Sequence, residues 1–205
     1  MHHVLKIFLL ILLLIAAGCA TSPPAKYYLL KYPSPKLGKQ PRLQTADHVS
    51  LQVHVPDYLD RPHIMVREAE HRLALSDRNR WAEPLSRMIT TFLSQYLASG
   101  PVPVQINPSG PTKDEMRISI QILRLDGKPG DRVNLEANWQ IAPAGAGSGQ
   151  AYFFSATAPA SGQRMEDLVL AHEQVLHDLA EELKTALELN GFGLRPQVGS
   201  PAPTP

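Results

Sequence analysis

One cysteine carries the clearest chemistry in this sequence. Cys19 is the single thiol of the chain, and it directly follows the three small residues Ala16-Ala17-Gly18. Small residues give a signal peptidase access to the backbone, and a thiol directly after them can take up diacylglycerol. The leucine favoured three residues before such a cysteine is replaced by Ala16. The pattern predicts an acylated Cys19; the alternative is an ordinary signal peptide followed by a chance cysteine.

The residues before Cys19 have the pattern of a secretion signal. Lys6 is followed by an unbroken apolar run from residue 7 to residue 17. A helix needs roughly 20 apolar residues to cross a bilayer, so this run has the length of a signal-peptide core instead. We therefore predict a lipoprotein signal peptide over residues 1–18 and attachment to a membrane through acyl chains on Cys19.

A second arrangement suggests metal chemistry but has the wrong spacing. The stretch from His172 to His177 resembles the zinc-protease HExxH pattern with one residue too many. Five helical steps of about 100° turn the second ring some 140° away from the first, so the two histidines cannot share a metal. Both are expected at solvated or half-buried helix positions. With no GxSxG motif and no phosphate-binding glycine loop, we predict no catalytic residue, no cofactor and no metal site.

Net charge restricts the partners. Without Lys6 the basic and acidic residues are equal in number, 19 of each. A neutral body argues against nucleic acid as a partner, because phosphate binding needs a basic surface. It also predicts no electrostatic attraction to anionic lipid beyond the anchor. The arginines between residues 61 and 87 interleave with acidic residues, which indicates a solvated mixed-charge face rather than an anion site.

The sequence predicts a sheet and two helices as the elements that position these residues. Strands are expected over residues 27–32, 49–55, 64–66, 72–75, 116–125, 133–141 and 151–156. A phase shift near Leu123 predicts a bulge, and residues 126–131 predict a turn. Apolar stripes at intervals of three and four predict helices over residues 85–97 and 165–189. The fold class is α/β or α+β, with a mixed, largely antiparallel sheet packed with two main helices in a single domain.

The segment from Val55 to Pro62 is the most individual stretch of the chain. Its sequence is Val-Pro-Asp-Tyr-Leu-Asp-Arg-Pro, in which two prolines favour a rigid, extended loop. One hypothesis is a surface presented to a partner, with Tyr58, Leu59 and Arg61 as contact residues. The alternative is a structural turn in which Tyr58 plugs the edge of the core.

Three stretches together resemble a known family. In order they are Tyr27-Tyr28-Leu29-Leu30, the segment from Val55 to Pro62, and Trp81-Ala82-Glu83-Pro84-Leu85. Their order and spacing resemble the PqiC (YmbA) family of auxiliary lipoproteins of ABC-type transport systems. The resemblance implies an α/β sandwich around a mixed sheet, without catalytic residues. It also implies an accessory of an MCE-type (mammalian cell entry) lipid transport system that docks onto an MCE-domain transporter subunit.

The resemblance completes the predicted organisation. Residues 19–26 are a tether, residues 27–192 the auxiliary lipoprotein domain, and residues 193–205 a disordered proline-rich tail. By resemblance to lipoprotein sorting in Gram-negative bacteria, Ala20 after the cysteine favours the periplasmic face of the outer membrane. A homo-oligomer is a further partner hypothesis. The alternative functions are a lipoprotein chaperone or assembly factor that binds a cell-envelope protein or glycan without a transporter, and a periplasmic hydrolase.

Overall fold

The computed structural model describes His3 and residues 23–32, 48–99, 105–106, 116–142, 145–146 and 149–189. Residues 23–189 of this set form eight strands and two helices. In chain order these are β1 (Lys26–Tyr28), β2 (His48–His54), β3 (His63–Ala69), β4 (Arg72–Trp81), α1 (Leu85–Ala98), β5 (Gln105–Ile106), β6 (Met116–Gly127), β7 (Arg132–Ala142), β8 (Gln150–Pro159) and α2 (Met165–Leu189). Within the described part of the chain, no helix has both the length and the apolar content needed to cross a membrane.

The sheet is built around the long strand β6. On one side β6 pairs antiparallel with β7, which pairs antiparallel with β8. On its other side β6 pairs in parallel first with β2 and then, at Gly127, with β3. β3 continues antiparallel to β4 and β4 parallel to β1, while β2 carries β5 in parallel. The longest ladders are antiparallel, which confirms the predicted mixed, largely antiparallel sheet.

Both helices pack on the same face of the sheet. α1 contacts β2 and β5, and α2 contacts β7, β8 and α1. Because side chains alternate along a strand, one face of each strand meets these helices and the other does not. The inward residues of the central strands are buried: Ile118, Ile120, Ile122, Val133, Leu135, Ala137, Trp139 and Ile141. We call the opposite face, which carries no helix among the described residues, the open face.

The predicted apolar stripes of the helices form the other half of the core. In α1 the buried residues are Leu85, Met88, Ile89, Phe92, Leu93 and Leu97. In α2 the apolar residues that recur at intervals of three and four are all buried: Leu168, Val175, Leu176, Leu179, Leu183 and Leu187. Intervals of three and four place such side chains on one side of a helix, and that side meets the sheet.

The turn between β6 and β7 is shorter than predicted. β6 runs to Gly127, so Asp126 is a strand residue and not the start of the turn. A Cβ on Gly127 would lie 2.4 Å from the carbonyl oxygen of Arg132, so the close approach of the two strands requires glycine here. The bulge is confirmed by a register shift between Ile122 and Arg124.

The short strands of the first half differ most from the sequence prediction. β3 and β4 are longer than expected because they pair with each other as a hairpin. β1 is shorter and ends at Tyr28, after which Leu30 leaves the sheet and enters the core. The two-residue strand β5 has too little sequence to show a period and was not predicted.

Candidate functional site

The predicted attachment point lies outside the described residues. Cys19, the signal peptide over residues 1–18 apart from His3, and the tail over residues 193–205 are all outside the described residues. The described structure begins again at Pro23, which is four residues after Cys19. The candidate surfaces on the body therefore have to be found among residues 23–189.

The loop from Val55 to Pro62 is a compact turn rather than an extended arm. The N–H groups of Leu59 and Asp60 donate to the carbonyl oxygen of Pro56 at 2.8 and 3.1 Å. This turn directs the Leu59 side chain into the core, where it is only 2% exposed. Val55 at the start of the loop is also buried.

The same loop joins three elements. The Asp60 carboxylate accepts hydrogen bonds from the N–H and the hydroxyl of Ser86, at 3.0 and 2.8 Å. It thereby caps the first turn of α1, whose backbone N–H groups lack helical partners. The carbonyl oxygen of Pro62 accepts the N–H of Trp81 at 2.7 Å. These contacts fix β2, β4 and α1 relative to one another.

Two of the three proposed contact residues remain at the surface. Tyr58 is 37% exposed, and its hydroxyl donates to the carbonyl oxygen of Leu123, 3.4 Å away, at the β6 bulge. Arg61 is exposed and donates through Nε to the carbonyl oxygen of Asp57 at 3.2 Å. Leu59 is buried and offers no contact surface. The residue that plugs the core is therefore Leu59 and not Tyr58.

Tyr58 lies beside a buried ionic cluster on the open face. Asp126 is fully buried, and Arg67 holds both of its oxygens, with Nε to Oδ1 at 2.6 Å and Nη2 to Oδ2 at 2.7 Å. Arg124 adds two longer hydrogen bonds, at 3.2 and 3.3 Å. Burial raises the pKa of Asp126, but the hydrogen bonds and charges of the two guanidinium groups outweigh burial and lower its pKa below the ordinary value.

The centre of the open face is polar but uncharged. Eight side chains in two adjacent rows across β2, β6, β7 and β8 form it: Gln52, Ser119, Gln140, Ala151, His54, Gln121, Asn138 and Phe153. A shallow cleft of about 480 Å³ lies over most of them. Carboxamide and hydroxyl groups both donate and accept hydrogen bonds, so this surface can pair with a polar partner without burying charge.

Exposed apolar side chains lie in this polar surface. Phe153 is 61% exposed, and Leu123 at the bulge is exposed next to Tyr58. Aromatic residues among uncharged hydrogen-bonding groups are the composition typical of the centre of a protein interface. Neighbouring Phe153 and Phe154 in a predicted strand could have shown that one phenyl ring must point away from the core. The exposure of Leu123 at the bulge could not be predicted in the same way, because it depends on the pairing register of β6 and β7.

The two histidines of α2 have separate surroundings. His172 is buried, contrary to the sequence prediction, because its ring fits edge-on against Trp81 at 5.7 Å and hydrogen-bonds the carbonyl oxygen of Leu168 at 2.8 Å. His177 is half-exposed and contacts Tyr96. Among residues 23–189 as described, no group of three histidine, cysteine, aspartate or glutamate side chains is placed to hold a metal ion.

Comparison with known proteins gives one family and two solved structures. A family model described as the ABC-type transport auxiliary lipoprotein component matches residues 28–184. No curated protein matches the chain significantly. A structure described as that of an uncharacterized protein has a TM-score of 0.68 at 16% identity, and covers 80% of this chain and 99% of its own.

The second structure comes from Xanthomonas campestris and is assigned to the family DUF330. It has a TM-score of 0.64 at 18% identity, over 82% of this chain and 97% of its own. At such identities the two structures show that the fold is shared.

Proposed function

The chain belongs to the family of ABC-type transport auxiliary lipoproteins, and we propose that it is the accessory subunit of an MCE-type system that moves lipids between the inner and outer membranes. The observation that carries this proposal is the family match, which runs from β1 almost to the end of α2. The acyl chains on Cys19 would hold the protein at the periplasmic face of the outer membrane. The folded body would then dock onto the MCE-domain subunit rather than catalyse a reaction.

The open face is the surface that supports docking best. Its exposed apolar groups, Tyr58, Leu123 and Phe153, lie on one side of the molecule. Uncharged hydrogen-bonding side chains surround Phe153, and the Arg67–Asp126–Arg124 cluster lies beside Tyr58. The Arg67–Asp126–Arg124 cluster fixes the strands beneath Tyr58, so little conformational entropy would be lost on binding. Arg61, at the edge of the same loop, would contribute a contact at the rim.

Co-purification from detergent-solubilised membranes tests this proposal. The acylated chain should retain an MCE-domain subunit and its permease, identified by mass spectrometry. Phe153→Asp and Tyr58→Ala should reduce the recovered transporter about tenfold or more, because aromatic anchors dominate interface energies. Leu189→Asp is the control, since Leu189 is also exposed, at 83%, but lies at the C-terminal end of α2, on the helical side of the molecule.

The outcomes separate the alternatives. Equal recovery of the transporter with Phe153→Asp and Leu189→Asp would place the docking surface elsewhere. Recovery of a cell-envelope protein or glycan without any transporter subunit would favour the chaperone or assembly factor. A size measurement on the purified protein would show whether the chain also forms a homo-oligomer.

A further inference from the structure

A groove lies where the chain enters the domain. It has a volume of about 660 Å³ and lies between β1 with the residues before it, the C-terminal half of β4 and the start of α2. The side chains that define it are Lys26, Tyr28, Arg78, Asn79, Arg164 and Glu166. We call it the entry groove.

The entry groove has an excess of positive charge. Lys26, Arg78 and Arg164 are exposed cations in its lining, against the single carboxylate of Glu166. Arg164 approaches Glu166 and Asp167 at 3.9 and 3.6 Å, so its ion pairs are long and solvated. The first turn of α2 adds the positive end of the helix dipole, which Glu166 and Asp167 in the same turn partly offset. A chain that is neutral overall therefore presents a local cationic surface.

Exposed apolar side chains lie on the two segments that border the entry groove, β1 with the residues after it and the first turns of α2. Tyr27 and Leu29 follow Lys26 and are both more than half exposed, and Leu170 is 60% exposed. The Tyr28 hydroxyl donates to Glu166 at 3.3 Å, and the Lys31 N–H donates to Glu173 at 2.6 Å. Residues 28–31 thus run alongside the first turns of α2. This arrangement brings Leu29 and Leu170 onto neighbouring segments.

The length of the tether places this end of the domain close to the anchor. Pro23 at the rim of the groove is four residues after Cys19. Four residues span at most about 14 Å when fully extended. An acyl group on Cys19 lies in the bilayer, so the groove would be held within reach of the lipid headgroups.

We propose that the entry-groove end of the domain lies on the membrane surface and binds the headgroups of anionic phospholipids. Lys26, Arg78 and Arg164 would contact headgroup phosphates, and Tyr27, Leu29 and Leu170 would enter the interface, where tyrosine is favoured. The inference rests on the acyl anchor of the proposed function. It adds an orientation: α2 would point away from the bilayer, with its C-terminal end farthest from the membrane.

Site-specific fluorescent labels test this orientation. An acylated Cys19 has no free thiol, so Leu170→Cys gives a single labelling site on the acylated full-length mature protein in vesicles. With phosphatidylglycerol present, a quencher attached to lipid should quench this label, and aqueous iodide should not. A label at Leu189→Cys is the control, because 23 helical residues place it about 35 Å from Glu166.

Charge variants test the headgroup contact. Lys26→Gln and Arg78→Gln should each lower the equilibrium constant for membrane contact about fivefold, as expected for the loss of one cation near an anionic surface. Arg87→Gln removes an exposed cation outside the groove and should change nothing. Contact should also weaken at high salt, because exposed charges are screened.

Three results would overturn the proposal, and they are distinguishable. If mass spectrometry finds no acyl chain on Cys19, the anchor itself fails. If the protein is acylated but iodide quenches the labels at positions 170 and 189 equally, only the proposed orientation is wrong. If contact is as strong on pure phosphatidylcholine as on vesicles with phosphatidylglycerol, or survives the charge variants, the cations do not bind anionic headgroups.

Discussion

At the scale of single residues, the buried carboxylate of Asp126 shows how the open face is kept rigid. An isolated carboxylate at that depth would take up a proton, because burial disfavours its charge. Arg67 and Arg124 reverse this by four hydrogen bonds and two positive charges. The three side chains therefore act as one unit that ties β3 to β6.

Replacing Asp126 should be costly. Asp126→Asn leaves two guanidinium groups without their counter-charge, and we expect a loss of about 3 kcal/mol in the free energy of unfolding. Glu136→Gln removes a carboxylate that is half-exposed and 3.5 Å from Arg124, so it should cost under about 1 kcal/mol. Urea denaturation measures both. Equal losses in the free energy of unfolding would mean that the buried ion pairs of Asp126 stabilise the protein no more than the exposed pair of Glu136 does.

His172 should make stability depend on pH. Burial lowers the pKa of His172 below its ordinary value of 6.5, and neither the Leu168 hydrogen bond nor the charge of Asp126 offsets this. The unfolded chain therefore takes up a proton that the folded chain does not, so stability falls as the pH drops below about 6.5. Thermal melts from pH 7.5 to 5 should show this slope.

Two variants separate His172 from other titrating groups. His172→Leu should flatten the slope between pH 7 and 5, whereas His177→Gln, which changes a half-exposed ring, should leave it in place. Asp126 titrates at lower pH, because its pKa is lowered from 3.8, and does not contribute in this window. A slope that persists in His172→Leu would assign the pH dependence to another group.

At the scale of elements, the loop from Val55 to Pro62 connects several elements of the fold and also leaves some of its side chains on the surface. Leu59 enters the core, Asp60 caps α1, and the carbonyl of Pro62 pairs with Trp81. Tyr58 and Arg61 are left on the surface by the same turn. Structural and contact roles thus fall on different residues of one short segment.

Stability measurements should separate these roles. Leu59→Ala should cost about 2–5 kcal/mol, as for other large-to-small changes in a core. Asp60→Ala should cost about 1 kcal/mol through the lost cap. Arg61→Ala should be nearly neutral, since its side chain is exposed. If Leu59→Ala leaves the melting temperature unchanged while Arg61→Ala lowers it, the assignment of roles is reversed.

At the scale of the whole molecule, the body has two unlike surfaces. The centre of the open face is uncharged and carries the exposed Phe153, whereas the entry groove is cationic and close to the predicted anchor. A protein that bridges a membrane and a transporter needs one surface for each. The two surfaces have separate chemistry, so each can be changed by mutation without altering the other.

The anchor gives the prediction that concerns the whole chain. Cys19→Ser should prevent acylation and leave an uncleaved precursor held by its leader. Replacing residues 1–19 with a cleavable secretion signal should instead release the protein into the periplasm. Mass spectrometry of the native N-terminal peptide should find a triacylated cysteine. An unmodified peptide beginning at another residue would exclude the anchor.

Periodic local patterns predicted the elements and the fold class. The stripes of α1 and α2 and the alternation in β6 and β7 repeat over many residues, and such patterns dictate which side chains are buried. The phase shift at Leu123 likewise predicted the bulge. The sequence did not determine which side chain of the loop from Val55 to Pro62 is buried, because the prolines restrict the backbone without fixing which side chain turns inward.

Contacts between residues distant in sequence were decided by the tertiary structure. The sequence pattern predicts Asp126 as a turn residue, but β3 places Arg67, which is 59 residues away in sequence, against it. His172 reads as a polar helix position until Trp81 covers it. The entry groove joins Lys26, Arg78 and Arg164, whose charges cancel in the composition of the chain. Net charge is a sum over residues, but binding depends on where the folded chain places each charge, and pairing between distant strands sets those positions.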